Sequence, residues 1–230
     1  MRQIQQALID AGYNLGPSGA DGVRGRMTIA AIKAFQRKNR LFPDAIVGPK
    51  TQAKLFSHTV EMPRGVQLPW MGEAHRIKGL HEKRDHRRLW DWLRSDGATV
   101  GDPAKIPWCG DFVQTAIALS MPDEPIPINP YLAANWSKFG TDCKPQLGAV
   151  LVFWRGSPSS WKGHVGFYVG EDRTHFHVLG GNQSNAVTIT KIAKNRLRER
   201  GSRWPLTGPD GDGKTRYSDG KGLITTTNEA

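Results

Sequence analysis

Four β-rich runs crowd into residues 149–192, and they limit the possible folds more than any other feature of the chain. AVLVFW (149–154) is continuously apolar, HVGFYVG (164–170) and THFHVL (174–179) are joined by a short Glu-Asp-Arg turn, and AVTITKI (186–192) alternates. Runs of this kind with short connections read as strands that pair with their sequence neighbours, hence antiparallel. Helical patterns precede them. Residues 70–97 read as helical in two pieces, with Leu89, Trp92 and Leu93 on one apolar face and the basic run Lys83–Arg88 as a solvated face. DEPIPINPYL (123–132) reads as an irregular loop. Helices first and an antiparallel sheet second make an α+β pattern over residues 70–205. From Leu206 to residue 230 apolar residues are sparse, and the composition predicts a disordered tail.

The N-terminal part is built differently. Asp21-Gly22-Val23-Arg24-Gly25-Arg26-Met27-Thr28 repeats as Asp44-Ala45-Ile46-Val47-Gly48-Pro49-Lys50-Thr51, a D-x-x-x-G-x-x-T frame 23 residues apart. Each frame reads as a glycine turn followed by a threonine N-cap, so a helix should follow each. Ile29, Ile32 and Phe35 fall on one face after the first frame; Ile4, Leu8 and Ala11 mark a helix before it, stopped by Gly12. Residues 1–57 are therefore expected to be a small all-α domain of three helices. HTVEMPRGVQLP (58–69), with two prolines and a glycine, reads as a linker to the larger domain.

Composition narrows the partners. The formal net charge of +11 points to an anionic one: nucleic acid, an acidic membrane surface or an anionic wall polymer. The basic residues are spread out and no nucleic-acid motif occurs, so nucleic acid is not expected. Two cysteines in 230 residues are no disulfide scaffold, no CxxC pair occurs, and neither a structural metal nor a cofactor is expected. The opening MRQIQQALIDAGYNL lacks the apolar stretch of a signal peptide, and no run reaches the roughly 20 apolar residues of a membrane span. The expectation is a monomer made in the cytoplasm that acts elsewhere only if something else releases it.

The chemistry centres on PWCGDFVQTAIA (107–118). Phe112, Val113, Ala116 and Ile117 stand 3, 4, 7 and 8 positions after Cys109, which places the cysteine on the apolar face in the first turn of a helix. A thiol there feels the positive end of the helix dipole, which lowers its pKa, and unpaired N–H groups beside it can hold an oxyanion. The other reading is a small core residue. A nucleophile needs a base: His164 opens KGHVGFYVG, with Gly163 and Gly166 thinning the backbone, and shares a strand face with Tyr168, opposite Val165, Phe167 and Val169. His175 and His177 compete for the role. In LGGNQSNAV, Asn182 and Gln183 lie 18 and 19 residues after His164, and the amide of Asn182, or of Gln183 after one register slip, could orient the imidazole. Trp108 and Trp154 are either walls of a substrate groove or core. Asp111 suits the dipole or a cap better than catalysis, and Cys143 has no partner pattern. The order helix–Cys, strand–His, strand–Asn is the papain-like order.

Two resemblances join these readings. IQQALIDAGYNL, DGVRGRMTIAAIKAFQRKNRL with its Phe35-Gln36, and DAIVGPKTQAKL resemble the peptidoglycan-binding domain family found beside cell-wall hydrolases, over almost all of residues 1–57. Ala45 and Arg24 depart from its usual Gly and aromatic residue. PWCGDFV, GAVLVFWR, GHVGFYVG and VLGGNQSNAVTI resemble the CHAP and NlpC-type papain-like hydrolases, bacterial and phage, over residues 70–205. The resemblance implies a papain-like domain that hydrolyses an amide of the peptidoglycan stem, with Cys109 as nucleophile, His164 as base and then acid, and Asn182 (or Gln183) orienting His164. It suggests a phage-type endolysin or virion component acting on bacterial peptidoglycan. The alternative is a non-catalytic wall-binding protein with a degenerate hydrolase domain. Amidase and endopeptidase activity are not separable at this stage.

Overall fold

The computed structural model of the chain describes residues 1–48, 50, 51, 54, 55, 68–220 and 222–226. It divides into two compact units, residues 1–65 and 66–230.

In the first unit, α1 (Arg2–Asp10) and α2 (Arg26–Lys38) bury Leu8, Ile32 and Phe35 together with Leu55. The third expected helix is represented by helical residues 50, 51, 54 and 55, and its remaining positions lie outside the described residues. Two buried glutamines organise the repeated frames. Gln5 Nε2 donates to Asp21 Oδ1 (2.8 Å), Val23 O (2.9 Å) and Thr28 Oγ1 (3.0 Å), and its Oε1 accepts from Gly22 N (2.7 Å). Gln36 repeats the pattern with Asp44 Oδ1 (2.9 Å), Ile46 O (3.0 Å), Thr51 Oγ1 (3.2 Å) and Ala45 N (2.9 Å). The frame's threonine is thus not an N-cap, as its spacing suggested. Gly25 occupies the cap of α2, and Thr28 is buried inside the first turn, its hydroxyl donating to Val23 O. The Asp and Thr recur because a buried amide needs all its donors and acceptors matched.

The second unit begins at the end of the expected linker. Pro69 opens α3 (Pro69–Arg76), where its missing N–H costs nothing, and the buried Leu68 caps it; linker residues 58–67 lie outside the described residues. Then come α4 (His86–Leu93), burying Leu89, Trp92 and Leu93, α5 (Cys109–Ser120), and a 3₁₀ helix (Ala133–Lys138). Seven strands follow: β1 (Thr141–Asp142), β2 (Val150–Trp154), β3 (Gly163–Glu171), β4 (His175–Gln183), β5 (Ala186–Ala193), β6 (Leu197–Trp204) and β7 (Ile224–Thr225). Their order is β1-β6-β2-β3-β4-β5-β7. The central pairings are antiparallel, but β5 and β7 run parallel, so the sheet is mixed where an antiparallel one was expected.

One face of β3 and β4 carries α5. Phe112 of α5 stacks at 5.9 Å on Phe167 of β3 and at 5.8 Å on Trp92 of α4. The other face holds Phe153, Tyr168 and Phe176, with Phe176 centroids 6.2 and 6.0 Å from the other two. Gly181 permits the close approach of α5: a Cβ there would stand 2.5 Å from Trp108 Cζ3 and 2.6 Å from Phe112 Cβ.

The described residues of the tail, 206–220 and 222–226, run against the second unit although their composition suggested disorder; residues 221 and 227–230 lie outside the described residues. The buried Glu124 carboxylate accepts from Leu206 N (2.8 Å), Thr207 N (2.7 Å) and Thr207 Oγ1 (2.7 Å). Arg216 N donates to Tyr168 OH (3.0 Å), Lys191 Nζ donates to Asp219 O (2.8 Å), and β7 pairs with β5. Its anchors are polar groups elsewhere in the unit, invisible in the tail's own composition.

Replacing Gly181 by Ala forces α5 off the sheet or displaces the Trp108 ring. We expect Gly181→Ala to destabilise this unit by roughly 1–3 kcal/mol, read as a lower urea midpoint of its unfolding transition; an unchanged midpoint would show that α5 tolerates a methyl group there.

Candidate active site

The first turn of α5 meets the sheet where β3 and β4 part. Their ladder runs from Glu171↔Phe176 to Phe167↔Leu179 with a shift between Tyr168 and Gly170, and β4 pairs with β5 with a second shift between Gly180 and Gln183. A bulge re-aims the side chains that follow it. Here it leaves Asn182 at φ 57° and turns Gln183 inward. His164 Nε2 lies 3.0 Å from Gln183 Oε1. The amide that holds the imidazole is therefore that of Gln183 and not of Asn182: the bulge supplies the one-residue slip that exchanges them.

Gln183 is fully buried and its orientation is determined by its partners. Nε2 donates to Val178 O (3.2 Å) and Thr188 O (2.6 Å), while Oε1 also accepts from Thr190 Oγ1 (3.0 Å). With both amide hydrogens committed to carbonyls, Oε1 must face the ring. Nε2 of His164 then carries the proton, and Nδ1 is the basic nitrogen of the neutral ring. Gly180 makes room for this contact, because a Cβ there would stand 2.9 Å from Gln183 Oε1 and 3.0 Å from His164 Nε2. The Gly180-Gly181 pair, which in isolation has the composition of a turn, is a strand segment stripped of side chains on both faces. Thr190 was also missed, although its place in the alternating run AVTITKI marks which face it shares.

Cys109 is the first residue of α5 and is buried. The backbone N–H groups of Val165 and Gly110 and the charge of Arg155 favour its thiolate. Val165 follows His164 in β3, so the strand that carries the imidazole also runs past the Cys109 sulfur. Burial pushes the Cys109 thiol up, and the N–H groups and Arg155 pull it back only in part. The helix terminus does not lower the net pKa as its position alone suggested, because desolvation of the thiolate outweighs the dipole.

Asp111, in the same turn, is fully buried. Its Oδ2 accepts from Thr99 Oγ1 (2.9 Å) and Val100 N (3.2 Å), and Oδ1 has no hydrogen-bond partner among the described residues. It staples the preceding loop to α5 and does not cap the helix. Burial pushes its carboxyl up to about 7, against the pull of Thr99 and Val100.

Trp108 is no groove wall. It is fully buried, with its indole N–H donating to Glu82 Oε2 (3.2 Å) and its ring against Gly181. Trp154 is half-buried at the end of β2 and borders a cleft of about 510 Å³. Cys143 is a free thiol 3.5 Å from Ser202 Oγ, and no disulfide joins it to Cys109. His175 and His177 lie in a separate cluster around Asp172, His177 Nε2 at 3.5 Å from its Oδ2. No group of three or more His, Cys, Asp or Glu side chains converges as metal ligands among the described residues, and no helix of them is long and apolar enough to cross a membrane.

Comparison with known proteins places the first unit. Residues 1–55 match the family described as putative peptidoglycan binding domain. Over 55 residues the chain is 40% identical to N-acetylmuramoyl-L-alanine amidase CwlL of Bacillus licheniformis and 36% identical to a probable N-acetylmuramoyl-L-alanine amidase of the same organism. Each match covers 24% of this chain and only 15% and 16% of those relatives, respectively. No solved structure matches. The chain therefore carries an N-terminal peptidoglycan-binding domain homologous to a segment of these amidases.

Asp111 links protonation to stability. Its folded pKa lies above the unfolded value near 4, so between about pH 4 and 7 the native state binds the proton more tightly and its stability falls as pH rises. Asp111→Asn should remove that part of the decline, on the order of a few kcal/mol. Parallel pH profiles of thermal unfolding for the two chains would reveal it, and superimposable slopes would contradict it.

Proposed function

We propose that residues 70–205 form a papain-like cysteine hydrolase of the CHAP or NlpC type, cutting an amide bond of the peptidoglycan stem, with the N-terminal domain holding the chain on the wall. The single observation that carries this reading is the His164 imidazole fixed at 3.0 Å by the Gln183 amide, one residue before the Val165 N–H that favours the Cys109 thiolate. The peptidoglycan-binding match of residues 1–55 supports the substrate. The excess positive charge suits an anionic wall. In this reading the protein is a phage-type endolysin or virion component that meets the wall after release from the cytoplasm.

The elevated thiol pKa determines the first step. The resting thiol keeps its proton, so His164 Nδ1 takes it as the sulfur attacks the stem carbonyl; no thiolate–imidazolium pair needs to stand ready beforehand. The N–H groups of the first turn of α5 face the developing oxyanion. The imidazolium then gives its proton to the departing amine, leaving a thioester on Cys109. Water, deprotonated by His164, hydrolyses the thioester; the carboxylic acid leaves and the thiol recovers its proton. Gln183, neutral, holds the ring in its tautomer through both halves but adds no charge to favour imidazolium.

Two measurements test this. Cys109→Ala should abolish turbidity loss on purified peptidoglycan while leaving sedimentation with it unchanged; equal lysis by both chains would sink the cysteine mechanism, and lysis by neither would leave the non-catalytic wall-binding reading. Gln183→Leu should lower the lytic rate by about 100-fold, whereas Asn182→Ala should change it far less; the reverse ranking would return the orienting role to Asn182. Mass spectrometry of the released muropeptides would separate amidase from endopeptidase cleavage.

A further inference from the structure

The cleft at Trp154 is lined by Ala134, Ser137, Trp154, Pro158, Arg198 and Glu199, among others. Two of its polar groups have no hydrogen-bond partner among the described residues although their atoms are buried: Ser137 Oγ and Arg198 Nε. A buried donor without an acceptor costs roughly 1–3 kcal/mol, so two in one cleft call for an explanation. The rest of the Arg198 guanidinium is committed to backbone carbonyls, Nη1 to Pro158 O (3.3 Å) and Nη2 to Ser160 O (2.5 Å) and Lys162 O (3.1 Å). These fix its position but leave its charge uncompensated: among the described residues it forms no ion pair, and the exposed Glu199 does not reach it. Trp154 supplies an aromatic wall.

The cleft also adjoins the candidate active site by two routes. Gly163, the residue before His164, pairs with Trp154 across β2 and β3, and a Cβ on it would stand 3.5 Å from Arg198 Nη2 and 3.6 Å from Ala133 Cβ. Gly110, the residue after Cys109, lies under Pro130 and Tyr131, where a Cβ would stand 2.2 Å from Pro130 O. That loop leads directly into the 3₁₀ helix whose Ala134 and Ser137 line the cleft. A peptide whose scissile carbonyl sits at Cys109 could continue into this space, which at about 510 Å³ accommodates a few residues.

We propose that this cleft is the subsite for a carboxylate-bearing residue of the stem peptide, held by Arg198 and the Ser137 hydroxyl against Trp154, and that it distinguishes a free carboxylate from its carboxamide. An anionic oxygen there would accept from both orphaned donors and balance the Arg198 charge, which forms no ion pair among the described residues; a carboxamide offers no charge, and its nitrogen would face donors where the carboxylate presents an acceptor. This rests on the hydrolase reading for its substrate, but binding can be measured without turnover.

The test uses the full chain carrying Cys109→Ala and two synthetic stem tetrapeptides, one with free carboxylates and one fully amidated, titrated by calorimetry. The free acid should bind about tenfold tighter, a difference of ~1.4 kcal/mol. Arg198→Gln should reduce that ratio to about two. Because Arg198 also holds the 158–162 loop, Ser137→Ala is the second variant: it leaves the loop bonds intact and should narrow the ratio by itself. Equal affinity for the two peptides, or a ratio indifferent to both variants, would overturn the proposal. Lytic assays report separately on Cys109, so preserved discrimination in a chain that never lyses would sink the hydrolase reading and leave the carboxylate subsite standing.

Discussion

The geometry of the second unit depends on how closely the first turn of α5 can lie on the backbone of β3 and β4. Side chains are missing wherever they would stand in the way. Gly181 lets Trp108 and Phe112 rest on β4, Gly110 lets the 130–131 loop cross the helix, and Gly180 opens the space where His164 meets Gln183. The approach is close enough for the N–H of Val165 in β3 to favour the Cys109 thiolate. A helix held off by one methyl group would sit about an ångström further out, and hydrogen bonds weaken steeply over that distance. Backbone proximity, more than any ion pair, sets how this turn meets the strands that carry His164 and Gln183.

Close burial has an electrostatic consequence that runs against simple helix-terminus reasoning. The same first turn holds a thiol and a carboxyl, Cys109 and Asp111, and burial raises the pKa of both. The dipole and the local N–H groups favour the charged forms, but water is excluded on both sides of the turn, and the loss of hydration dominates. The resting turn is thus arranged around neutral groups, and Arg155 is the charge nearest the sulfur that opposes this.

Much of this was legible in the chain. The apolar runs at 149–154, 164–170, 174–179 and 186–192 became β2 to β5 because each buries at least one face, and the spacing of Phe112, Val113, Ala116 and Ile117 placed Cys109 on the buried side of its helix. Three things were not legible, each for a reason. β6 reads LRERGSRW, a charged stretch with no apolar alternation; it is a strand because Gly201 fits against Val152 O and the buried Arg203 guanidinium finds Phe139 O (2.5 Å) and Gly140 O (2.7 Å). The choice between Asn182 and Gln183 turned on a register shift, which period-two alternation does not encode. The Thr28 and Thr51 hydroxyls looked like caps because their real partners, Gln5 and Gln36, lie 23 and 15 residues away. In all three, a long-range polar or backbone contact overrode a local pattern.

The path of the residues beyond β6 bears on how the second unit is completed during synthesis. Glu124, Gln146 and Tyr168 are buried, and each takes a donor from beyond residue 205: Glu124 from Leu206 and Thr207, Gln146 from Gly213 (2.5 Å), Tyr168 from Arg216. A nascent chain that has only just exposed β6 has its whole apolar core available, yet holds a carboxylate, an amide and a phenol facing inward without their donors. Burying such groups alone is unfavourable, so they stay wet until residues 206–216 have been made. Order in this unit is therefore closed by the segment beyond β6, whose own residues look least able to fold.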